Sequence, residues 1–314
     1  MVLLTIVSKI IPVILLLVLG VLMKKYHFLS EVSISELKKL VVNIALPALL
    51  FFSFLNIDFQ RQYLWVVLII FLANILMLVI GKLIQVIAGI KNNYFPLMLT
   101  GFEMGMLGFS LYGSIYGTDN LGFIGVLDLG QEIFVWFVLT SLLLALQTGS
   151  VNIRTSLKNF ATSPVIIAIA LGIVLNILGL KHFLTTNVFM SGLLSTVSMI
   201  SQLTIPLILI IIGYQLNLHF SKFRLPMVTI VLRLFICIVF AVLIDRFFFN
   251  RLLHLPRAFT VSLFTMFILP PPFIIPLFMK KDDVAMEEYV GNTLSLGTIF
   301  TIVGFIVLVF IFGV

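Results

Sequence analysis

The chain has 314 residues, of which 61% are hydrophobic and only 10% are charged. Soluble globular domains are about 45–50% apolar and about 25% charged, so this composition excludes a soluble protein and predicts a polytopic membrane protein. The net charge of +7 does not indicate a nucleic-acid partner, because the basic residues are scattered in short connections. A single cysteine, Cys237, excludes a disulfide framework.

Apolar segments long enough to span a bilayer follow one another along the whole chain. A membrane-spanning helix needs about 20 predominantly apolar residues. The predicted spans are residues 4–23, 37–55, 64–88, 95–116, 123–146, 164–180, 190–214, 226–249, 258–279 and 289–312. The connections are short and leave no extramembrane domain. We expect an all-α membrane protein with about ten transmembrane helices.

The two halves of the chain resemble each other. Pro12 and Gly20 in the first span have the same spacing as Pro164 and Gly172 in the sixth. The second and seventh spans share a similar pattern, carried by residues 45–47 and 56–59 in one and 204–206 and 217–220 in the other. Two matches in the same order favour an internal repeat. The sequence predicts a first five-helix repeat at 1–146, a cytoplasmic linker at 147–163 and a second repeat at 164–314.

An odd number of spans in each repeat places the two halves in opposite orientations, which is the inverted plan of many secondary transporters. Lysine and arginine are concentrated in the connections that follow odd-numbered spans, and Arg246, Arg251 and Arg257 go against this bias. The positive-inside rule therefore predicts a multi-pass protein of the cell membrane with both termini extracellular.

The ninth predicted span is interrupted by Pro270, Pro271, Pro272 and Pro276. Proline removes a main-chain donor and costs roughly 3 kcal/mol in a helix interior. In hydrocarbon, such a break persists only where the freed main chain is buried in protein or lines a cavity. Transporters bind substrates and ions at broken helices of this kind.

The fourth predicted span is rich in glycine, with Gly101, Gly105 and Gly108 followed by Gly113 and Gly117. Glycine weakens a helix by about 1 kcal/mol and allows main chain to approach a ligand. Close helix packing of the small-xxx-small kind is the alternative explanation. The equivalent break in the ninth span favours a pair of crossed, partly unwound helices.

Three segments resemble a known family. Residues 103–111 are similar to the fourth-span motif of the auxin efflux carrier family, residues 44–51 to its second-span signature and residues 292–296 to its tenth-span signature. The family includes plant auxin exporters and bacterial malate permeases. The resemblance implies two inverted five-helix repeats with crossed fourth and ninth helices, as in sodium/proton antiporters and bile-acid transporters. It also implies organic-anion transport and a possible homodimer. Glu103 and Ser110 replace the family's usual asparagine and proline.

Four ionisable residues fall inside predicted spans, where a charge is costly and usually marks a transport pathway. Glu103 lies at the break and is the first candidate for a coupling proton, with an ion pair to Arg233 as the alternative. Asp128 and Glu132 share one helix face and form a cation or proton relay. The alternative is that the fifth span begins late and both carboxylates lie in an aqueous vestibule. Arg233 is either the counter-ion of a substrate carboxylate or the partner of one of these acids.

Uncharged polar residues complete the candidate site, with interhelical hydrogen bonding as their alternative role. The predicted substrate-binding residues are Glu103, Gly105, Gly108, Ser110, Pro270, Pro271, Pro272, Asn43, Gln202 and Arg233. The predicted coupling residues are Glu103, Asp128, Glu132, Asn292 and Ser295.

The leading hypothesis is a secondary carrier of a small organic anion, such as a dicarboxylate like malate. It would work by alternating access, with the bundle that contains the crossed helices moving against spans one, two, six and seven. The expected partners are the anion, a proton or sodium ion and the lipid bilayer; no cofactor, metal or nucleic acid is expected. A membrane sensor that binds a ligand without turnover is the alternative. The chain lacks HExxH and spaced-aspartate motifs, which argues against an intramembrane enzyme.

Overall fold

The computed structural model describes residues 2–58, 60–148, 153–215, 223–279 and 284–313. Within these ranges all regular structure is helical, and seven helices are long and apolar enough to cross a membrane. The predicted all-α polytopic fold is therefore confirmed. The repeat match at 217–220, the loop residues Lys280 and Lys281 and part of the predicted linker lie outside the described residues.

The spans are numbered here in chain order, from first to tenth. In the first half, the first span is Val2–Lys25, the second Glu31–Asn56, the third Tyr63–Ile87 and the fifth Thr118–Gln147. In the second half, the sixth span is Pro164–Ile177, the seventh Val188–Gln215, the eighth Arg224–Asn250 and the tenth Val284–Phe312. The fourth and the ninth are the two broken spans. Short helices at Ile153–Ala161 and Lys181–Thr186 lie in the connections before and after the sixth span.

Local sequence explains several helix ends. The Ser30 hydroxyl accepts a hydrogen bond from the Ser33 N–H and caps the start of the second span. The helix therefore begins at Glu31, six residues before the predicted start at 37. Asn187 caps the seventh span in the same way, since its Oδ1 accepts from the N–H groups of Phe189 and Met190. Gly117, with a φ of 88°, ends the fourth span because few other residues adopt that conformation.

Helix pairing is reciprocal between the two halves of the chain. The first span packs on the seventh, and the sixth packs on the second; the third packs on the fifth, and the eighth packs on the tenth. Exchanging each span for its predicted equivalent in the other half leaves this set of pairs unchanged. The division of the chain into two repeats stays a prediction.

Glycines allow the main chains of the first and seventh spans to come into direct contact. A Cβ atom on Gly20 would lie 2.1 Å from the Ile210 carbonyl oxygen, and a Cβ on Gly213 would lie 2.0 Å from that of Leu17. Gly172, the predicted equivalent of Gly20, packs similarly against the second span. Contacts of this kind replace the side-chain interdigitation that larger residues require, and they are typical of helix pairs in membranes.

Candidate functional site

Both predicted helix breaks are present, and they lie against each other. The fourth span is helical at Phe95–Met98, non-helical at 99–103 and helical again at 104–116. The helix Arg257–Phe267 of the ninth span ends before the prolines, and a short 3-10 turn follows at Ile275–Phe278. The prediction of paired breaks in these two spans is thus confirmed.

Main-chain contacts join the two breaks directly. The Glu103 N–H donates to the Pro270 carbonyl over 2.9 Å. Gly101 has a φ of 69°, and a Cβ at this position would lie 2.7 Å from Pro272 Cγ. Only glycine combines this conformation with such a close neighbour, so the glycine of one break and the proline of the other form a single crossing point.

The Glu103 carboxylate holds both sides of this crossing. Its Oε1 accepts from the Met106 N–H over 3.1 Å and caps the helix at 104–116, while its Oε2 accepts from the Phe273 N–H over 2.6 Å. The side chain is buried, with 9% of its surface exposed. A carboxylate is well suited to this position, since the first N–H groups of a helix have no intrahelical partner and carry partial positive charge.

Arg233 donates hydrogen bonds to main-chain carbonyl groups of the same two breaks. It is almost fully buried and donates to the carbonyls of Met98 and Leu269, each at 3.1 Å, and to that of Gly101. Its guanidinium also lies 5.0 Å from the centre of the Phe102 ring. These carbonyls lose their helical partners where the chain unwinds, and the hydrocarbon of a bilayer offers no water to replace those partners. Within the described part of the chain, Arg233 therefore contacts carbonyl groups and not Glu103, contrary to the ion-pair alternative.

A cavity of about 230 Å³ lies beside the crossing point. It brings together five of the predicted site residues, namely Glu103, Gly105, Asp128, Glu132 and Pro272. Lys38 of the second span and the aromatic residues Phe102, Phe109, Trp136 and Phe273 also line it. We call this the acid cavity, since three carboxylates converge on it from the fourth and fifth spans.

The fifth span supplies two of these carboxylates from one face. Asp128 is 1% exposed and lies 3.4 Å from Gln131 Nε2, while Glu132 accepts a 2.7 Å hydrogen bond from the indole N–H of Trp136. The alternative of an aqueous vestibule at a late-starting helix is wrong for Asp128. Thr118–Gln147 is helical well before this residue, whose side chain is buried in protein.

The remaining predicted residues of the two broken spans have packing contacts. A Cβ on Gly108 would lie 2.8 Å from Leu269 Cδ1, so this glycine permits close contact between the breaks. Ser110 donates to the Met106 carbonyl within its own helix. Pro270 and Pro271 are buried, and Pro270 packs against the tenth span. Gly105 differs from Gly108 because a Cβ there would make only ordinary contacts, 3.7 Å from Leu46 Cδ2 and 3.8 Å from Glu103 Oε1, and because it lines the acid cavity.

The predicted polar residues of other spans do not line the acid cavity. Asn43 is exposed and donates to the Lys39 carbonyl. Gln202 lines a separate cavity of about 440 Å³ together with Asn56 and Asp119. Ser295 lines a cavity of about 300 Å³ that shares Lys38 and Phe273 with the acid cavity. Asn292 is half-buried on the tenth span.

Sequence reasoning missed Lys38 and Trp136 as cavity residues. The predicted second span starts at 37, only one residue before Lys38, which placed this lysine at the membrane boundary instead of inside the protein. Ser30 followed by Glu31 is a helix-start pattern that would have placed Lys38 inside the helix. Trp136 lies four residues after Glu132 on the same helix face, which is the spacing for a side-chain contact.

Comparison with known proteins agrees with this architecture. The model of the family described as "Membrane transport protein" matches residues 5–311. An "Uncharacterized transporter" from Methanothermobacter thermautotrophicus is 25% identical over 235 residues, which are 71% of this chain and 72% of that protein. The chain therefore belongs to the membrane transport protein family, in agreement with its resemblance to the auxin efflux carriers.

Proposed function

We propose that this protein is a secondary transporter that carries a small organic acid across the cell membrane by alternating access. The observation that carries the proposal is the meeting of two broken spans beside a cavity with three carboxylates and one lysine. A buried ionisable group in a membrane costs a few kcal/mol and usually marks a substrate or ion pathway. Family membership supports the transport function, and the cavity beside the crossing point supports a substrate site at that place.

The two halves of the chain act as inverted repeats in this proposal. The reciprocal packing of spans supports the division at 147–163. Spans one, two, six and seven form one bundle, and the bundle with the crossing point moves against it. Inverted repeats provide two such states, because each half can adopt the conformation of the other.

The coupling ion binds at the acid cavity, and a proton is the simplest candidate. Asp128 and Glu132 are four residues apart on one helix face and share the cavity with Glu103. Carboxylates at this depth can take up a proton on one side and release it on the other. Sodium is the alternative ion, since carboxylate oxygens also bind hard cations.

The substrate is proposed to carry a carboxylate, as the family resemblance implies. Lys38 supplies the matching charge, because it is the one basic residue that lines the described part of the acid cavity. Its ammonium lies 6.0 Å from the centre of the Phe273 ring, at the boundary between the second span and the crossing point. A substrate carboxylate bound at Lys38 would lie within the cavity and close to the coupling residues.

Uptake into proteoliposomes tests the proposal. The purified chain is reconstituted, and accumulation of radiolabelled L-malate and other small carboxylic acids is measured with a proton gradient in either direction. Gradient-driven accumulation above protein-free liposomes supports a coupled carrier, and a sodium gradient replaces the proton gradient in a parallel series. A ligand that stabilises the protein but never accumulates would instead support the sensor alternative.

A further inference from the structure

Several hydrogen-bond donors around the acid cavity are already engaged. Glu103 takes the N–H groups of Met106 and Phe273, and Glu132 takes the indole N–H of Trp136. A carboxylate ligand needs such donors, because an ionised carboxylate only accepts hydrogen bonds. Apart from Lys38, no basic residue lines the described part of the cavity, so an anion finds a single positive charge there.

One buried acceptor beside the same cavity is unpaired, and it belongs to Gln131. Gln131 is 1% exposed, and its Nε2 donates to the Phe102 carbonyl over 2.6 Å, which fixes the orientation of the amide. Its Oε1 is buried and has no hydrogen-bond partner. Buried polar atoms are normally paired, so an unpaired acceptor on a cavity-lining residue points to a ligand with a donor. Asp128 lies on the same wall, and its contact with Gln131 is long at 3.4 Å.

The charge and the lining agree with this reading of the acceptors. Three carboxylates face a single ammonium group, that of Lys38. A dicarboxylate would add two negative charges to a cavity that is already net negative, which is unfavourable at low dielectric. Phe109 and Trp136 also line this space, and aromatic rings attract cations.

We propose that the acid cavity binds the protonated amine of its ligand, so that the organic acid carried by this protein is an amino acid. The ammonium group donates to Gln131 Oε1 and to the Asp128 carboxylate, and the ligand carboxylate faces Lys38. Such a zwitterion adds no net charge to the cavity. The carriage of this ligand rests on the proposed function, whereas its binding does not.

Matched ligand pairs test the proposal on the full chain in lipid nanodiscs. L-Aspartate carries an amine where L-malate carries a hydroxyl group. L-Alanine and L-lactate form a second pair that differs in the same way. Thermal stability is followed as each ligand is titrated. We expect each amine to bind at least about tenfold more tightly than its hydroxy partner, since a hydrogen bond to a charged group contributes that much.

Variants identify the site. Asp128→Asn and Gln131→Met should each abolish the preference for the amine, and the second keeps the test informative if the first does not fold. Glu36→Gln, an exposed carboxylate on the same span as Lys38, is the matched control and should keep the preference. A preference that survives in both cavity variants would overturn the proposal.

Uptake separates this proposal from the proposed function. Accumulation of L-malate without any effect of the amines would leave transport standing and overturn the amine site. Amine binding without accumulation of any acid would keep the site and overturn transport. Stabilisation by hydroxy acids that equals or exceeds that by amines, or no stabilisation by either, also overturns the site.

Discussion

Arg233→Met should destabilise the fold more than any other single loss of a positive charge in the described residues. Methionine keeps the apolar stem of the side chain but leaves the carbonyls of Met98, Gly101 and Leu269 without a donor. At about 0.6 kcal/mol per interhelical hydrogen bond in membranes, the three contacts contribute about 2 kcal/mol. At about 2 kcal/mol per buried carbonyl left unsatisfied, they contribute about 6 kcal/mol.

The free energy of unfolding, measured by denaturant titration in mild detergent, should therefore fall by about 2–6 kcal/mol. The control is Arg246→Met, because Arg246 is exposed on the same span. Surface changes of this type usually fall within about 0.5 kcal/mol of wild type. Arg233→Lys should be intermediate, since an ammonium keeps the charge but loses the planar fork that reaches several carbonyls at once.

A result for Arg233→Met that matches the control would refute the reasoning. It would mean that the carbonyls at the crossing point find other partners, or that the breaks rewind when the guanidinium is absent. An Arg233→Met variant that keeps normal stability but loses substrate binding would also refute the reasoning. Arg233 would then act on the ligand, as the counter-ion alternative supposes, and not on the helix ends.

Two further changes follow from the packing and from the cavity. Gly213→Ala should destabilise the protein by about 1–3 kcal/mol in thermal melts, because the new methyl group would overlap the Leu17 carbonyl. Gly192→Ala is its control, since that position faces open space and should be neutral or slightly stabilising. Trp136→Phe keeps a ring in the acid cavity but removes the N–H that orients Glu132. Uptake at limiting substrate should fall by about tenfold, as expected for the loss of one charge-assisted hydrogen bond, and an unchanged rate would show that this contact is dispensable.

The breaks could be predicted from the sequence because their causes are local. Proline at 270–272 lacks a main-chain donor wherever it stands, and Gly101 lies in a glycine-rich segment that tolerates unwinding. The number of spans follows from length and apolar content for the same reason. Helix starts were less accurate, as the second span shows: its first ten residues, Glu31–Leu40, include several polar side chains and lack the apolar character by which spans are recognised.

The contacts that hold the site together could not be predicted. Glu103 and Phe273 are 170 residues apart, and Arg233 reaches carbonyls 132 and 135 residues before it. No periodicity relates such positions, and both side chains had other chemically reasonable partners. Choosing among those partners requires the tertiary arrangement, which brings main-chain groups of two spans within reach of one charged side chain.

Lys38 stands on the second span, whereas the carboxylates that face it belong to the fourth and fifth. The acid cavity therefore straddles the seam between the two proposed bundles. Any relative sliding of the bundles changes the distance between the ammonium and the carboxylates, and with it their Coulomb energy. A ligand that bridges the seam would act as a tether between the moving parts, so its occupancy and the position of the bundles are mechanically linked. In that case, the position of Lys38 on one bundle, opposite carboxylates on the other, would couple ligand binding to the movement of the bundles.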